Sequence, residues 1–336
     1  MELDKKIRII DVPWHIAHQF EMLKFPWAKF DWLQQHRREY SNAPRGNIQT
    51  MFDWVQHYEE GKYDVAILHL DQGCVEDSIM AVGKGSVYVQ LNNVIKDIPK
   101  IVIMHGTPYY PEEFENSQEI IDRVNKLIGD NYFICNSHRA LEQWGRVNHP
   151  KSRTIIHGMD PREWWDLPKE PRVVTMISPG GFPAYYDRTF LEYVREGLEE
   201  RGIAHCHITV DFSAKDFDDY RDFLGRSLVY FNPTRESPMP RARTEAMLSG
   251  CCVVTTGNQD ANTFFKNGVN GYLLDDNRNV QATVDLIEKL IMNPALAIKI
   301  GAEGKKTATE LFSMERYQND WHGVINKVLK GEPINE

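Results

Sequence analysis

The sequence predicts an α/β chain built on parallel sheet, and three observations carry that expectation. The first is the stretch from 228 to 255. An apolar run, Leu228 to Phe231, leads through Asn232-Pro233-Thr234 into a helix, which Gly250 ends before a β-branched run at Cys251 to Thr255. Pro238 and Pro240 are tolerated only before or within a first turn, so this helix starts near Met239 or Pro240 and runs to about Ser249. Strand, loop, helix and strand in that order form the repeat of a parallel sheet. The second observation is that short apolar runs of the same kind recur along the chain, with stretches of helical periodicity among them. The third is length: 336 residues suit two domains of about 150.

In chain order, Ile7 to Val12 is the first expected strand. Residues 14–38 carry Trp14, Phe20, Phe25, Trp27, Phe30 and Trp32, interleaved with Lys24, Lys29, Arg37 and Arg38. Two readings stand: a helical core with solvated basic positions, interrupted at Pro26, or an acceptor wall or peripheral membrane contact. His15 and His18 are spaced to share a helix face, but no further metal ligands accompany them. Asp64 to Leu70 and Val87 to Leu91 read as strands, with a short helix at Val75 to Val82. Ile101 to Met104 is a buried strand ending in His105-Gly106. A histidine there either meets a ligand or caps the strand.

Ser117 to Ile128 has helical periodicity, Tyr132 to Cys135 is a strand, and Asn136-Ser137 caps a helix from His138 to Trp144. Thr154 to Ile156 is a further strand, and the proline-rich 161–171 reads as an interdomain linker. Beyond it, Val173 to Ile177 and His205 to Phe212 are strands. Asp187 to Glu200, Asp216 to Leu224, Val280 to Met292, Ala295 to Leu311 and Met314 to Leu329 are helices. Asp216-Phe217-Asp218 has the form of a metal-binding Asp-x-Asp, but acids at a helix start are favoured by the dipole, and that is the simpler reading.

A formal charge of −9 gives no support for nucleic-acid binding. Five cysteines without ligand spacing, two of them at the start of a strand, fit buried thiols in a reducing, cytoplasmic compartment. The charged Met1 to Lys6 and the short run after it do not read as a secretory leader, and no apolar run reaches the ~18 residues of a membrane span.

The loop at 232–245 is dense in charge, with Arg235, Glu236, Arg241, Arg243 and Glu245. In parallel sheets ligands sit at strand carboxyl ends and helix N-termini. Carboxylates flanked by arginines there suit a ligand that bears both hydroxyls and phosphates, such as a nucleotide sugar. Asn232-Pro233-Thr234, Glu236, Glu245-Ala246-Met247, Gly250, Val253-Val254 and Gly268-Val269-Asn270-Gly271-Tyr272-Leu273 together resemble the donor-site signature of retaining glycosyltransferase family 4. His157-Gly158-Met159-Asp160 is similar to that family's Asn-Gly-Val-Asp turn. The chain departs from the family at three places. Glu236 and Glu245 have eight intervening residues where seven are usual, which puts Ser237 at the expected position. The first strand lacks its glycine-rich turn. The usual Arg and Lys after Ser178-Pro179-Gly180-Gly181 are missing, leaving Arg188 as the nearest cation, either a phosphate clamp or an exposed first-turn residue.

The resemblance implies two Rossmann-like α/β domains facing a cleft, the GT-B fold, with a C-terminal helix packing back on the first domain. The domains would be 1–165 for the acceptor and 166–312 for the donor, with 313–336 as crossover helix and tail. It implies transfer of a sugar from a nucleotide-sugar donor to a glycan or lipid-linked acceptor, retaining configuration and needing no metal. His105 and Glu236 would be catalytic. Gly180, Gly181, Arg188, Ser237, Met239, Arg241 and Glu245 would bind donor. The protein would be cytoplasmic, or peripheral at the inner membrane face. An epimerase of the same fold, or a non-catalytic nucleotide-sugar-binding partner, would present the same motifs.

Overall fold

Apolar runs buried on both faces are characteristic of parallel strands, and every described strand pairs in parallel. The structure is a computed structural model that describes residues 6–33, 50–71, 74, 84–108, 117–177, 186–207, 214–275 and 278–335. The chain divides into two units, Met1–Gly158 with Met314–Glu336, and Met159–Ser313.

The described strands of the first unit are β1 (Ile7–Asp11), β2 (Ala28–Leu33), β3 (Phe52–Val55), β4 (Val65–Leu70), β5 (Lys100–Met104), β6 (Tyr132–Cys135) and β7 (Ser152–Thr154), in the sheet order β3-β2-β1-β4-β5-β6-β7. Neighbouring residues along these strands point to opposite faces. Ile10, Leu68, Val102 and Phe133 therefore pack on one side, and Ile9, Ile67, Ile101 and Ile134 on the other. Helices α1 (Ile16–Met22), α2 (Lys84–Val94), α3 (Ser117–Ile128) and α4 (His138–Gln143) precede or link the strands, and Ser137 caps α4 by accepting from the Ala140 amide. The last helix of the chain, α11 (Met314–Leu329), belongs to this unit and buries Tyr317, Trp321, Val324, Ile325 and Val328 in the second of those cores.

Several sequence expectations change here. Residues 28–33 are a strand, with Ala28, Phe30 and Trp32 all buried at a period of two. The aromatics of the 14–33 segment other than Trp27 are core residues; residues 34–38 lie outside the described residues. Val87 to Leu91 is not a strand but the middle of α2. Tyr88, Leu91 and Ile95 recur at helical spacing and are buried, and the Tyr88 hydroxyl donates to the Leu127 carbonyl at 2.9 Å. The expected strand at Thr154 to Ile156 falls at Ser152–Thr154. The expected helix at Val75 to Val82 lies outside the described residues.

The second unit starts at Met159, earlier than the expected junction at 165/166. Met159 donates to the Phe312 carbonyl (2.9 Å), and Trp164 packs edge-on against Phe217 and Tyr220, so this segment is part of that core. Its strands are β8 (Glu170–Thr175), β9 (His205–His207), β10 (Ser227–Asn232), β11 (Cys252–Thr256) and β12 (Tyr272–Leu274), in the order β12-β11-β10-β8-β9. Helices α5 (Arg188–Glu200), α6 (Phe217–Arg226), α7 (Arg241–Leu248), α8 (Ala261–Phe264), α9 (Val280–Met292) and α10 (Pro294–Leu311) complete it. Asp187, Asp216, Asn279 and Asn293 cap four of these helices with side-chain oxygens. Gly250, at φ 72°, ends α7, with the amides of Gly250 and Cys251 donating back to Met247 and Ala246.

Both strand orders contain a reversal. The first unit's chain runs outward from β1 to β3 and resumes at β4 on the other side of β1. The second runs from β8 to β9 and resumes at β10 on the other side of β8. Crevices outside the carboxyl ends at such reversals are where open α/β sheets take ligands. No described helix is long and apolar enough to cross a membrane.

Candidate functional site

In the second unit the reversal lies between the carboxyl ends of β8 and β10. Asn232 and Thr234 are fully buried, and the Thr234 hydroxyl bonds to the Asn232 side chain. The loop that follows is held by the turn after β11. Asn258 donates to the Ser237 carbonyl at 2.7 Å, and the Gln259 side-chain amide donates to Glu236 Oε2 at 3.1 Å, with Gln259 itself in the left-handed region at φ 48°. Arg243 clamps the two loops together. It is 1% exposed, donates to Asn258 Oδ1 (3.0 Å), contacts Met239 Sδ (3.5 Å) and lies over Phe264 and Phe265. Burial pulls its pKa down to about 10.

Glu245 lies on the second turn of α7 and is buried. Its Oε2 accepts from the Tyr220 hydroxyl at 2.7 Å, and its Oε1 is 3.6 Å from Arg241 Nε, so the Arg241–Glu245 pair is buried rather than superficial. The N-terminus of α5 abuts the same loop, because Asp187 donates its amide to the Pro233 carbonyl and Tyr186 bridges Thr234. Asp187 meets both Arg278 and Arg235, the latter at 3.3 Å. Burial pushes its carboxyl up, but the Phe190 amide and the two arginines outweigh that and hold it below its usual range. Arg188 is an exposed first-turn residue of α5. Gly180 and Gly181 lie outside the described residues. Asp216 accepts from the Asp219 amide as a helix cap, and Asp218 is bound by Arg221.

In the first unit the reversal lies between β1 and β4. Asp11 closes β1, His69 sits one residue from the end of β4, and His105 follows β5. The three side chains form a chain: His69 Nε2 is 2.8 Å from Asp11 Oδ1, and His69 Nδ1 is 2.9 Å from His105 Nε2. Trp14 stacks on His69 and His105, and His15 stacks on His105 with ring centroids 5.7 Å apart. His18 lies edge-on to His15 and His157. His18, His69, His105, His157, Gln19 and Asn136 help line a cavity of about 30 Å³, room for ordered water. Among the described residues, no group of three or more His, Cys, Asp or Glu is disposed to hold a metal ion. Sequence reasoning singled out His105 but not Asp11 or His69. The available signal was positional: each is a polar residue at or near the carboxyl end of an apolar strand.

This frame can be set beside known proteins. Residues 191–307 match the family model of glycosyl transferases group 1. That span runs from α5 to α10 and contains the loop at 232–245. No curated protein matches the chain significantly. Solved structures do. HepE from Anabaena, in complex with UDP and glucose, is 12% identical with a TM-score of 0.67 over 96% of this chain and 100% of that one. Sucrose-phosphate synthase from Thermosynechococcus elongatus is 11% identical, with a TM-score of 0.66 over 97% and 100%. A glycosyltransferase from Rickettsia africae is 13% identical, with a TM-score of 0.62 over 98% and 100%. The fold is therefore the two-sheet α/β fold of GT-B glycosyltransferases, as the motifs implied.

Proposed function

We propose that this protein transfers a sugar from a nucleotide-sugar donor to a glycan or lipid-linked acceptor, with retention of configuration and without a metal ion. The observation that carries the reading is the coincidence of the glycosyl transferase match with the β10–α7 loop at the second unit's strand reversal. On this reading Glu245 takes the ribose hydroxyls, and Glu236 and Ser237 face the sugar. The N-terminal end of α7 with Arg241 contributes positive potential toward the diphosphate, joined by the Gly180-Gly181 amides and Arg188. Transfer then relies on electrostatic stabilisation of the leaving diphosphate, which needs no protein nucleophile. His105, at the first unit's strand reversal, is the other catalytic residue on this reading. UDP and glucose, bound to HepE, are the first donor components to try.

Metal independence is supported by the roles of Asp216 and Asp218, one a helix cap and the other an arginine partner. The test is incubation with UDP-glucose in EDTA, following nucleotide release and the anomeric configuration of the product by NMR. Slow release of UDP that persists in EDTA, with the glucose transferred to water appearing first as the α-anomer, is expected. Interconversion of the sugar would indicate an epimerase, and binding without turnover a non-catalytic module. Activity lost in EDTA and restored by Mn²⁺ would overturn the metal-free reading.

A further inference from the structure

Asp11, Gln19 and His69 are 1%, 1% and 2% exposed, and with His69 neutral their hydrogen bonds leave one arrangement of protons. Asp11 Oδ1 accepts from the Val12 amide at 2.7 Å, and Oδ2 accepts from Gln19 Nε2 at 2.8 Å. Gln19 is fixed in turn. Its Oε1 accepts from the Trp14 amide (2.8 Å), and its Nε2 also donates to the Val12 carbonyl (2.7 Å). The two hydrogens of the Gln19 amide are thereby committed to oxygen acceptors. His69 Nε2 faces Asp11 Oδ1 at 2.8 Å and also lies 3.2 Å from Gln19 Nε2, whose hydrogens are already placed, so it carries the hydrogen and donates it to Asp11. In a neutral imidazole the other nitrogen is then an acceptor. His69 Nδ1 accepts, and its partner at 2.9 Å, His105 Nε2, is the donor. The sequence of roles runs from a buried carboxylate, through one ring, to the tautomer of a second.

We propose that Asp11 and His69 are positioning residues that lock His105 in the Nε2–H tautomer, so that Nδ1 is the accepting nitrogen of its ring. The catalytic half of this rests on sugar transfer as proposed above. An acid that fixes the tautomer of an imidazole through its far nitrogen is a general device, because the orientation and the proton position are both set before substrate arrives. Here the device is one ring longer, and three adjacent strands supply it. β4 lies between β1 and β5, so His69 is the ring placed to link the other two.

The test uses the full chain with ¹⁵N-labelled histidine, and long-range proton–nitrogen spectra recorded without substrate at neutral pH. His105 signals are assigned by their loss in His105→Ala. A single Nε2–H tautomer is expected for His105. Asp11→Ala, which removes the acceptor, should give a mixed or Nδ1–H signal and lower kcat at least tenfold with little change in donor KM. His69→Asn places an amide oxygen near the lost Nδ1. It should keep His105 in the Nε2–H form and retain more kcat than Asp11→Ala. An Nδ1–H tautomer in the wild type, or the same tautomer and kcat in wild type and Asp11→Ala, would overturn the lock. His105→Ala with full kcat would overturn its catalytic half. Because the spectra need no turnover, a wild-type chain that transfers no sugar would fail the functional reading without deciding the tautomer.

Discussion

Glu245 already holds Tyr220 and Arg241, and that shapes what a substitution there does. A carboxylate oxygen has two lone pairs, so Oε2 can accept from Tyr220 and from a ribose hydroxyl together. Truncation to alanine would take the carboxylate away from buried Arg241, a loss that for buried pairs runs to about 3–5 kcal/mol and confuses folding with binding. Glu245→Gln keeps the volume and an acceptor for Tyr220. If the ribose bonds are charge-assisted, their loss costs about 1.5–3 kcal/mol, roughly 10- to 150-fold in donor KM with kcat held, since the ribose is remote from the reacting bond. An unchanged KM would leave Glu245 as an internal brace for α6 and α7. Glu236 is half-buried on the Gln259 amide, in the loop nearer the sugar. Glu236→Gln should lower kcat more than it raises KM, and a normal kcat would point to Ser237 at the working position. The position of Glu245 on a helix after a strand was legible from local spacing. Tyr220 was not, because it is 25 residues away on another helix. The Asp11–His69 contact spans 58 residues and exists only because β1 and β4 are neighbours in the sheet.

Among the elements, the helices capped by a short polar side chain could be read closely, since the signal and the structure it makes are adjacent in sequence. Asp187, Asp216 and Ser137 are such caps. The segments that were misread are those where two periods compete. Val87, Val89 and Leu91 alternate like a strand, but Tyr88, Leu91 and Ile95 bury as a helix. The period-two signal of Ala28, Phe30 and Trp32 was masked by the density of aromatics around it. Helix α10 illustrates a constraint that no local rule shows. Gly301 lies mid-helix, where alanine is intrinsically favoured by about 1 kcal/mol. A Cβ at that position would stand 2.3 Å from the Gly250 carbonyl oxygen, at the end of α7. Gly301→Ala should therefore lower stability, by about 1–3 kcal/mol as for overpacking, and weaken nucleotide binding if α7 shifts. Chemical denaturation reads this directly; a stabilised variant would mean that α10 moves away from Gly250 at no cost.

At the scale of the whole molecule, the chain leaves its first unit at Gly158 and returns to it at Met314. The return is a matter of core packing. Trp321 is 2% exposed and packs with Phe25 and Tyr317, within the core that holds Ile9, Phe30, Val65 and Ile67. Gly158 shows how close the contact is, since a Cβ there would lie 2.4 Å from the Tyr317 Cβ. The first unit's core is thus incomplete until residue 314 and beyond have been made, although strands β1 to β7 are finished by Thr154. Trp321→Ala removes a large buried ring near the end of the sequence and should cost about 3–5 kcal/mol. The cost should fall on the unit that holds the ring. Native-state hydrogen exchange is the measurement, because it reports opening free energies strand by strand. Amides of β1, β4 and β5 should lose protection, while those of β10 and β11 keep theirs and gain more when UDP is added. At a hundred times its Kd, a ligand that binds only the native state stabilises by about 2.7 kcal/mol. Protection lost equally in β10 and β11 would show that the two units open as one, and an unchanged pattern in β1 and β4 would show that the terminal helix is dispensable to the core it completes.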